Sequence, residues 1–279
     1  VPDGAPIDAA LKRTTHLAIG AHQDDLEIMA VHGILACYQI PDQWFTGVVV
    51  TDGRGAPRSG RYADLSDEDM VIVRRREQYN AACVGDYAAQ IMLEFPSSVV
   101  KDADSPDVVR ALEDLLRATN PRIVYTHNLA DKHDTHVATT LRVIQALRNV
   151  RATGALQDVQ VYGCEVWRDL DWLVDDDKVA FDVSEREGLQ SALVGAFDSQ
   201  VSGGKRYDLA SLGRRRAHAT YHASHAVDNA TGLTFAMDLT ELVEDPARDP
   251  EAFVRAYLAR FQQDVCDRVA RFSSRASAQ

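Results

Sequence analysis

The chain has 279 residues, 46% of them hydrophobic and 26% charged, which suits one large or two small globular domains and excludes a fibrous or low-complexity chain. Thirty basic against forty-two acidic side chains leave a formal net charge of −12, which repels a phosphate backbone and argues against nucleic-acid binding. Four cysteines without a C-x-x-C pair (Cys37, Cys83, Cys164, Cys266) read as buried thiols in a reducing compartment, and no run approaches the roughly 18 apolar residues of a membrane helix.

The segment from Val1 to Leu11 has neither a basic start nor an apolar signal core, so the expectation is a soluble cytoplasmic protein. Beyond it, short β-branched runs alternate with stretches of helical period. Strands are expected at His16–Gly20, Phe45–Thr51, Gln90–Glu94, Arg122–Thr126 and Gln160–Glu165, with helices at Leu26–Tyr38, Asp67–Val84, Pro106–Ala118 and Thr135–Asn149. This alternation predicts an α/β fold, Rossmann-like, with a mostly parallel sheet flanked by helices. After Glu165 a strand is expected at Val179–Val183, with helices near Glu185–Ala196, Tyr207–His225 and Glu251–Phe272. No repeat or Pro/Ser-rich linker interrupts the chain, so residues 1–279 are expected to form a single domain with an elaborated C-terminal third.

Ligands of such sheets bind at the carboxyl ends of the strands. Polar clusters follow three strands there: Ala21–Glu27, Thr51–Gly60 and His127–His136. In the first, His22, Asp24 and Asp25 share one short loop, where neighbouring aspartates point apart. One can coordinate a divalent ion while the other faces a bound water. The competing reading is an acidic cap on the following helix. In the second cluster, His133 and His136 are three apart and share a face if they begin a helix, one binding metal and the other facing substrate. If the two clusters meet above the sheet, His, Asp and His form a three-ligand site with one open position, the layout of a catalytic zinc.

At these residues the chain resembles the PIG-L/LmbE-type metal-dependent N-deacetylases. Ala21-His22-Gln23-Asp24-Asp25-Leu26-Glu27 is similar to the family's A-H-P-D-D-E, and His133-Asp134-Thr135-His136 to its H-P-D-H. Thr51-Asp52-Gly53, the R-x-x-E-x-x-x-A spacing of Arg74, Glu77 and Ala81, and Asp198-Ser199-Gln200 match further motifs in order. The resemblance implies that His22, Asp25 and His136 bind Zn2+, that Asp24 is the general base, and that Arg74 reaches the substrate. His133 would steady the oxyanion or protonate the departing amine. Three departures stand out. Gln23 replaces a proline, which loosens the loop without touching a ligand, Leu26-Glu27 moves the usual glutamate by one, and Asp134-Thr135 removes the carboxylate that would orient His133, leaving Asp131 or Asp134 to replace it.

His218, His222 and His225, at i, i+4 and i+7, form a rival three-imidazole face. Ala219 stands where a zincin carries its glutamate, so a structural or substrate-lining face is expected instead. His16 and His32 are expected to be structural, and the runs at Arg74–Arg76 and Arg214–Arg216 to be solvated helix faces, either of which could meet an anionic substrate group. The Thr51–Gly60 loop has no G-x-G-x-x-G and no Walker lysine, which argues against nucleotide binding. The resulting expectation is a zinc-dependent amidohydrolase that removes an acyl group, acetyl first, from an N-acylated amino sugar or glycoconjugate. Its rivals are a hydrolase of non-sugar amides or esters and a sugar-binding protein without turnover. The donor set suits other divalent metals as well, and apolar loops in the C-terminal third leave a homo-oligomer open.

Overall fold

The computed structural model describes residues 1–273. Its elements run in the order α1 (Ile7–Lys12), β1 (His16–Gly20), α2 (Asp25–Met29), α3 (Val31–Cys37), β2 (Phe45–Thr51), α4 (Asp67–Val84), β3 (Ala89–Phe95), α5 (Ser97–Lys101), α6 (Asp107–Thr119), β4 (Ile123–His127), α7 (Asp134–Ala152) and β5 (Gln160–Cys164). There follow β6 (Val179–Asp182), α8 (Glu187–Gly195), α9 (Asp198–Val201), α10 (Tyr207–Tyr221), β7 (Leu233–Asp238), α11 (Thr240–Glu244) and α12 (Pro250–Phe272).

β1 and β2 are buried at every residue, as apolar strands covered on both faces must be. Successive side chains of β1 enter opposite layers. Leu17 and Ile19 join Val48, Val124 and Leu112 of α6 on one face, whereas Ala18 joins Leu26, Met29, Val49 and Tyr125 on the other. On that second face α3 crosses β4 closely, and a Cβ at Gly33 would lie 2.5 Å from the Tyr125 ring.

The strands form one sheet in the order β3-β2-β1-β4-β5-β7-β6. The first five are parallel, and β7 runs antiparallel to both β5 and β6. The α/β, Rossmann-like expectation therefore holds, with an antiparallel edge built by the C-terminal third. Strand order reverses between β1 and β4, the crevice where open α/β sheets bind ligands.

Several local expectations are corrected. The helix expected over Leu26–Tyr38 breaks at Ala30 (φ −110°, ψ 22°) into α2 and α3. β7 was not foreseen; it joins the sheet by pairing antiparallel with both β5 and β6. Cys37 and Cys164 are buried, but Cys83 and Cys266 are exposed on helices. Among the described residues no helix is long and apolar enough to cross a membrane.

Candidate metal centre

β1 and β4 lie side by side and their following loops meet. His22 Nδ1 is 3.2 Å from His136 Nε2, Asp25 Oδ2 is 3.3 Å from His22 Nδ1, and Asp25 Oδ2 is 3.4 Å from His136 Nε2. Four ligands placed tetrahedrally at zinc bond lengths stand about 3.4 Å apart, so these three atoms are already spaced for a divalent ion. His133 and His127 extend the cluster: His22, His133 and His136 form one group of donor atoms within 4.8 Å of one another, and Asp25, His127 and His136 form a second.

Local geometry selects among these donors. Asp25 Oδ2 accepts the His22 backbone N–H (2.6 Å), which folds the loop back on itself. Neither Asp24 nor Asp25 caps α2 through its side chain, so the acidic-cap reading is set aside. His127, the last residue of β4, uses its Nε2 to accept the Ala21 N–H (2.9 Å). That nitrogen is thereby committed to the backbone, and His127 braces the ligand loop. No role was assigned to it from sequence, although its place at a strand's carboxyl end was the available signal.

His133 and His136 do not share a helical face as expected. His133 is the extended residue preceding α7 (φ −100°, ψ 116°), and its ring stacks on His136 at 4.5 Å between centroids. Asp131 was a candidate to orient the His133 ring, but its Oδ1 accepts the His133 backbone N–H (3.0 Å) and its Oδ2 accepts the Trp167 N–H (3.1 Å). The same Oδ2 faces His136 Nδ1 at 3.5 Å, so the carboxylate stands behind the imidazole of a candidate ligand. Asp134, the other candidate, is exposed.

Asp24 is buried and left-handed (φ 94°), a conformation that costs a non-glycine residue about 1–3 kcal/mol. Its N–H donates to Gln78 Oε1 (3.3 Å), and its Oδ2 lies 3.5 Å from Arg74 Nη2. Arg74 also donates to the Gln23 carbonyl and is only 4% exposed, so it borders the cavity while held against the loop. Gln23 was expected to loosen this loop. Instead its amide donates to the Thr51 carbonyl (3.2 Å), and Gly53, at φ 71°, makes room for it, because a Cβ there would lie 2.2 Å from Gln23 Oε1.

The electrostatics separate the two aspartates. Burial pushes the Asp24 carboxyl well above its ordinary range; Arg74 opposes this, and Asp25, Glu27 and Glu77 reinforce it. Burial acts on Asp25 too, but the His136 and His127 imidazoles outweigh it and hold that carboxyl well below the usual range. Burial lowers His136 to about 4 and, with the His22 ring nearby, lowers His133 as well, so both favour the neutral form.

His22, Asp24, Asp25 and His133 border a cavity of about 810 Å³ that also reaches Trp167, Tyr207, Gln200 and Lys101. Glu77 accepts from both the N–H and the hydroxyl of Ser199 (2.6 Å each), so the Arg74–Glu77 and Ser199–Gln200 segments meet as one wall. The rival triplet does not assemble. α10 ends at Tyr221, His222 closes it and His225 lies exposed beyond. His218 is buried, with its Nε2 3.0 Å from Glu165 Oε1 and its ring on Phe235, a structural role.

Residues 17–147 match the family model for PIG-L, GlcNAc-PI de-N-acetylase. The chain is 30% identical over 155 residues to the uncharacterized deacetylase YaiS of Escherichia coli, covering 54% of this chain and 77% of that protein. Its fold is similar to that of GalB, the 4-carboxy-2-hydroxymuconate hydratase of Pseudomonas putida (TM-score 0.62, 16% identity, 81% of this chain and 95% of that one). It is also similar to the N,N'-diacetylchitobiose deacetylase of Pyrococcus horikoshii (TM-score 0.58, 16% identity, 80% and 83%). At these identities the two structures speak to the fold alone.

Proposed function

The chain belongs to the PIG-L (GlcNAc-PI de-N-acetylase) family, and from that premise we propose that it is a zinc-dependent amidohydrolase releasing acetate from an N-acetylated amino sugar or glycoconjugate. The observation that carries this reading is the mutual spacing of 3.2 to 3.4 Å among His22 Nδ1, Asp25 Oδ2 and His136 Nε2, beside a second buried carboxylate, Asp24. Two imidazoles and a carboxylate would hold the ion; iron, cobalt or nickel would suit the same donors. A bound divalent ion would supply Lewis-acid polarisation of the amide carbonyl and acidify water.

The chain's own groups then divide the remaining work. Asp24, whose carboxyl burial raises well above its ordinary range while Arg74 opposes that rise, accepts the proton of the attacking water. Oxygen bonds to the carbonyl carbon, and a neutral His133 donates a hydrogen bond to the oxyanion. Of the two duties expected of His133, a neutral ring suits this one. Asp24 returns its proton to the amide nitrogen as the C–N bond breaks, giving acetate and a free amine. Arg74 balances the charge of Asp24 along the substrate-binding wall.

The test is acetate release from a panel of N-acetyl sugars, simple amides and esters, with metal content measured by elemental analysis. Turnover of the sugars that is lost in Asp24→Ala supports the reading. Hydrolysis confined to non-sugar amides or esters, or sugar binding without any acetate release, overturns it in favour of one of the rivals.

A further inference from the structure

The molecule carries a net charge of −12, yet the cavity above the metal centre is bordered by cations. Some are already neutralised. Arg54 pairs with Asp52 at 2.6 Å, Arg206 with Asp208 at 2.7 Å, and Arg74 faces Asp24. Lys101, Lys205 and Arg214 remain, and among the described residues none of them has an acidic partner within ion-pair distance. They come from two separate segments, the C-terminus of α5 and the stretch leading into and through α10, and all three border the same cavity. The acidic lining groups, Asp24, Asp25 and Asp52, are engaged with Arg74, the imidazoles and Arg54 respectively.

Two of the three cations are positioned. Arg214 donates from Nη1 to the Val166 carbonyl (2.6 Å), which fixes a half-buried guanidinium and leaves its other N–H groups free. A planar fork held in this way matches two oxygens of a carboxylate or phosphate. The Lys205 ammonium lies 4.8 Å from the centre of the Trp167 ring, and Trp167 lies parallel to His133 at 6.5 Å. Trp167 therefore neighbours both His133 at the metal centre and the unpaired Lys205 ammonium, and Arg214 borders the same cavity.

We infer that the substrate carries, beyond its N-acyl group, an oxyanion (carboxylate or phosphate) held by Lys205 and Arg214, with Lys101 adding to the field at the mouth. This rests on the reading of the cavity as an N-acyl substrate site and narrows it to anionic members. An overall negative molecule gains little by lining a cavity with unpaired cations unless they meet an anion, since a concave site concentrates their field.

The test is calorimetric binding to the full-length protein of N-acetylglucosamine, N-acetylglucosamine phosphate and N-acetylmuramic acid, at low and high salt. At low salt one charged sugar binds about tenfold tighter than the neutral one, and added salt narrows the gap. Which sugar shows the preference distinguishes phosphate from carboxylate. In Lys205→Ala, at an exposed position, and in Arg214→Gln, the ratio of charged to neutral affinity falls towards one. Equal affinity for all three sugars, or a preference that persists in both variants, overturns the inference. A retained preference without acetate release would sustain it while removing the deacetylase reading.

Discussion

Asp24 concentrates the cost and the purpose of the site in one residue: a buried carboxylate on a left-handed backbone, tied by Gln78 and faced by Arg74. Asp24→Asn should lower acetate release at least about a hundredfold, the usual weight of a general base, while metal per chain, read by elemental analysis, stays unchanged. His32 shows a different single-residue effect. Burial lowers it to about 3, both ring nitrogens lack partners, and the ring stacks 3.7 Å from Phe181. Burial likewise lowers His16 to about 4. A folded-state value below the unfolded 6.5 means that stability is fully present above pH 6.5 and is lost as pH falls towards the folded values. Between pH 6.5 and 5 the loss from His32 should be on the order of 2 kcal/mol, read from denaturant midpoints. His32→Phe, which keeps the stack and breaks no hydrogen bond, should flatten that slope.

Helices and strands act here mainly as brackets for loops. α10 reaches under the ligand loop, where the buried Arg215 donates to the Glu27 carbonyl (2.9 Å), the Ile28 carbonyl (3.2 Å) and Gln190 Oε1 (2.9 Å). α4 does the same for the far wall through Glu77 and Ser199. Glu77→Ala should cost about 1–3 kcal/mol, because it leaves buried Ser199 donors unpaired, and hydrogen exchange should quicken over residues 198–203 before the rest of the molecule opens. Elements of this kind were unevenly legible. β1, β2 and α4 fall at their expected bounds, since each is a strongly patterned run with a clear local stop. The imidazole spacing of His218, His222 and His225 gave no indication of where α10 would end, and the helix stops before the third of them.

At the scale of the molecule, one seven-stranded sheet includes β6 and β7 from the C-terminal third, which supports our proposal that the chain is one domain. Because the proposed ligands come from loops after two different strands, a bound ion would tie β1 to β4 and should stabilise the native state as a whole. At a free metal concentration a hundredfold above Kd the gain is about 2.7 kcal/mol. Thermal unfolding should therefore shift upward with zinc, fall back with a chelator, and show no shift in His136→Ala.

The sequence alone determined the parallel core and pointed to the residues of the candidate site, because hydrophobic period and the polar clusters after strands are local signals. His22, Asp24, Asp25, His133 and His136 could all be named from it. Only the tertiary structure decided that Asp131 stands behind His136 rather than the His133 ring, that His127 is a brace, that Gln23 tightens its loop, and that Lys205 and Arg214 face the cavity unpaired. Each of those facts is a contact between residues distant in the chain, and such contacts exist only once the sheet has set which loops become neighbours.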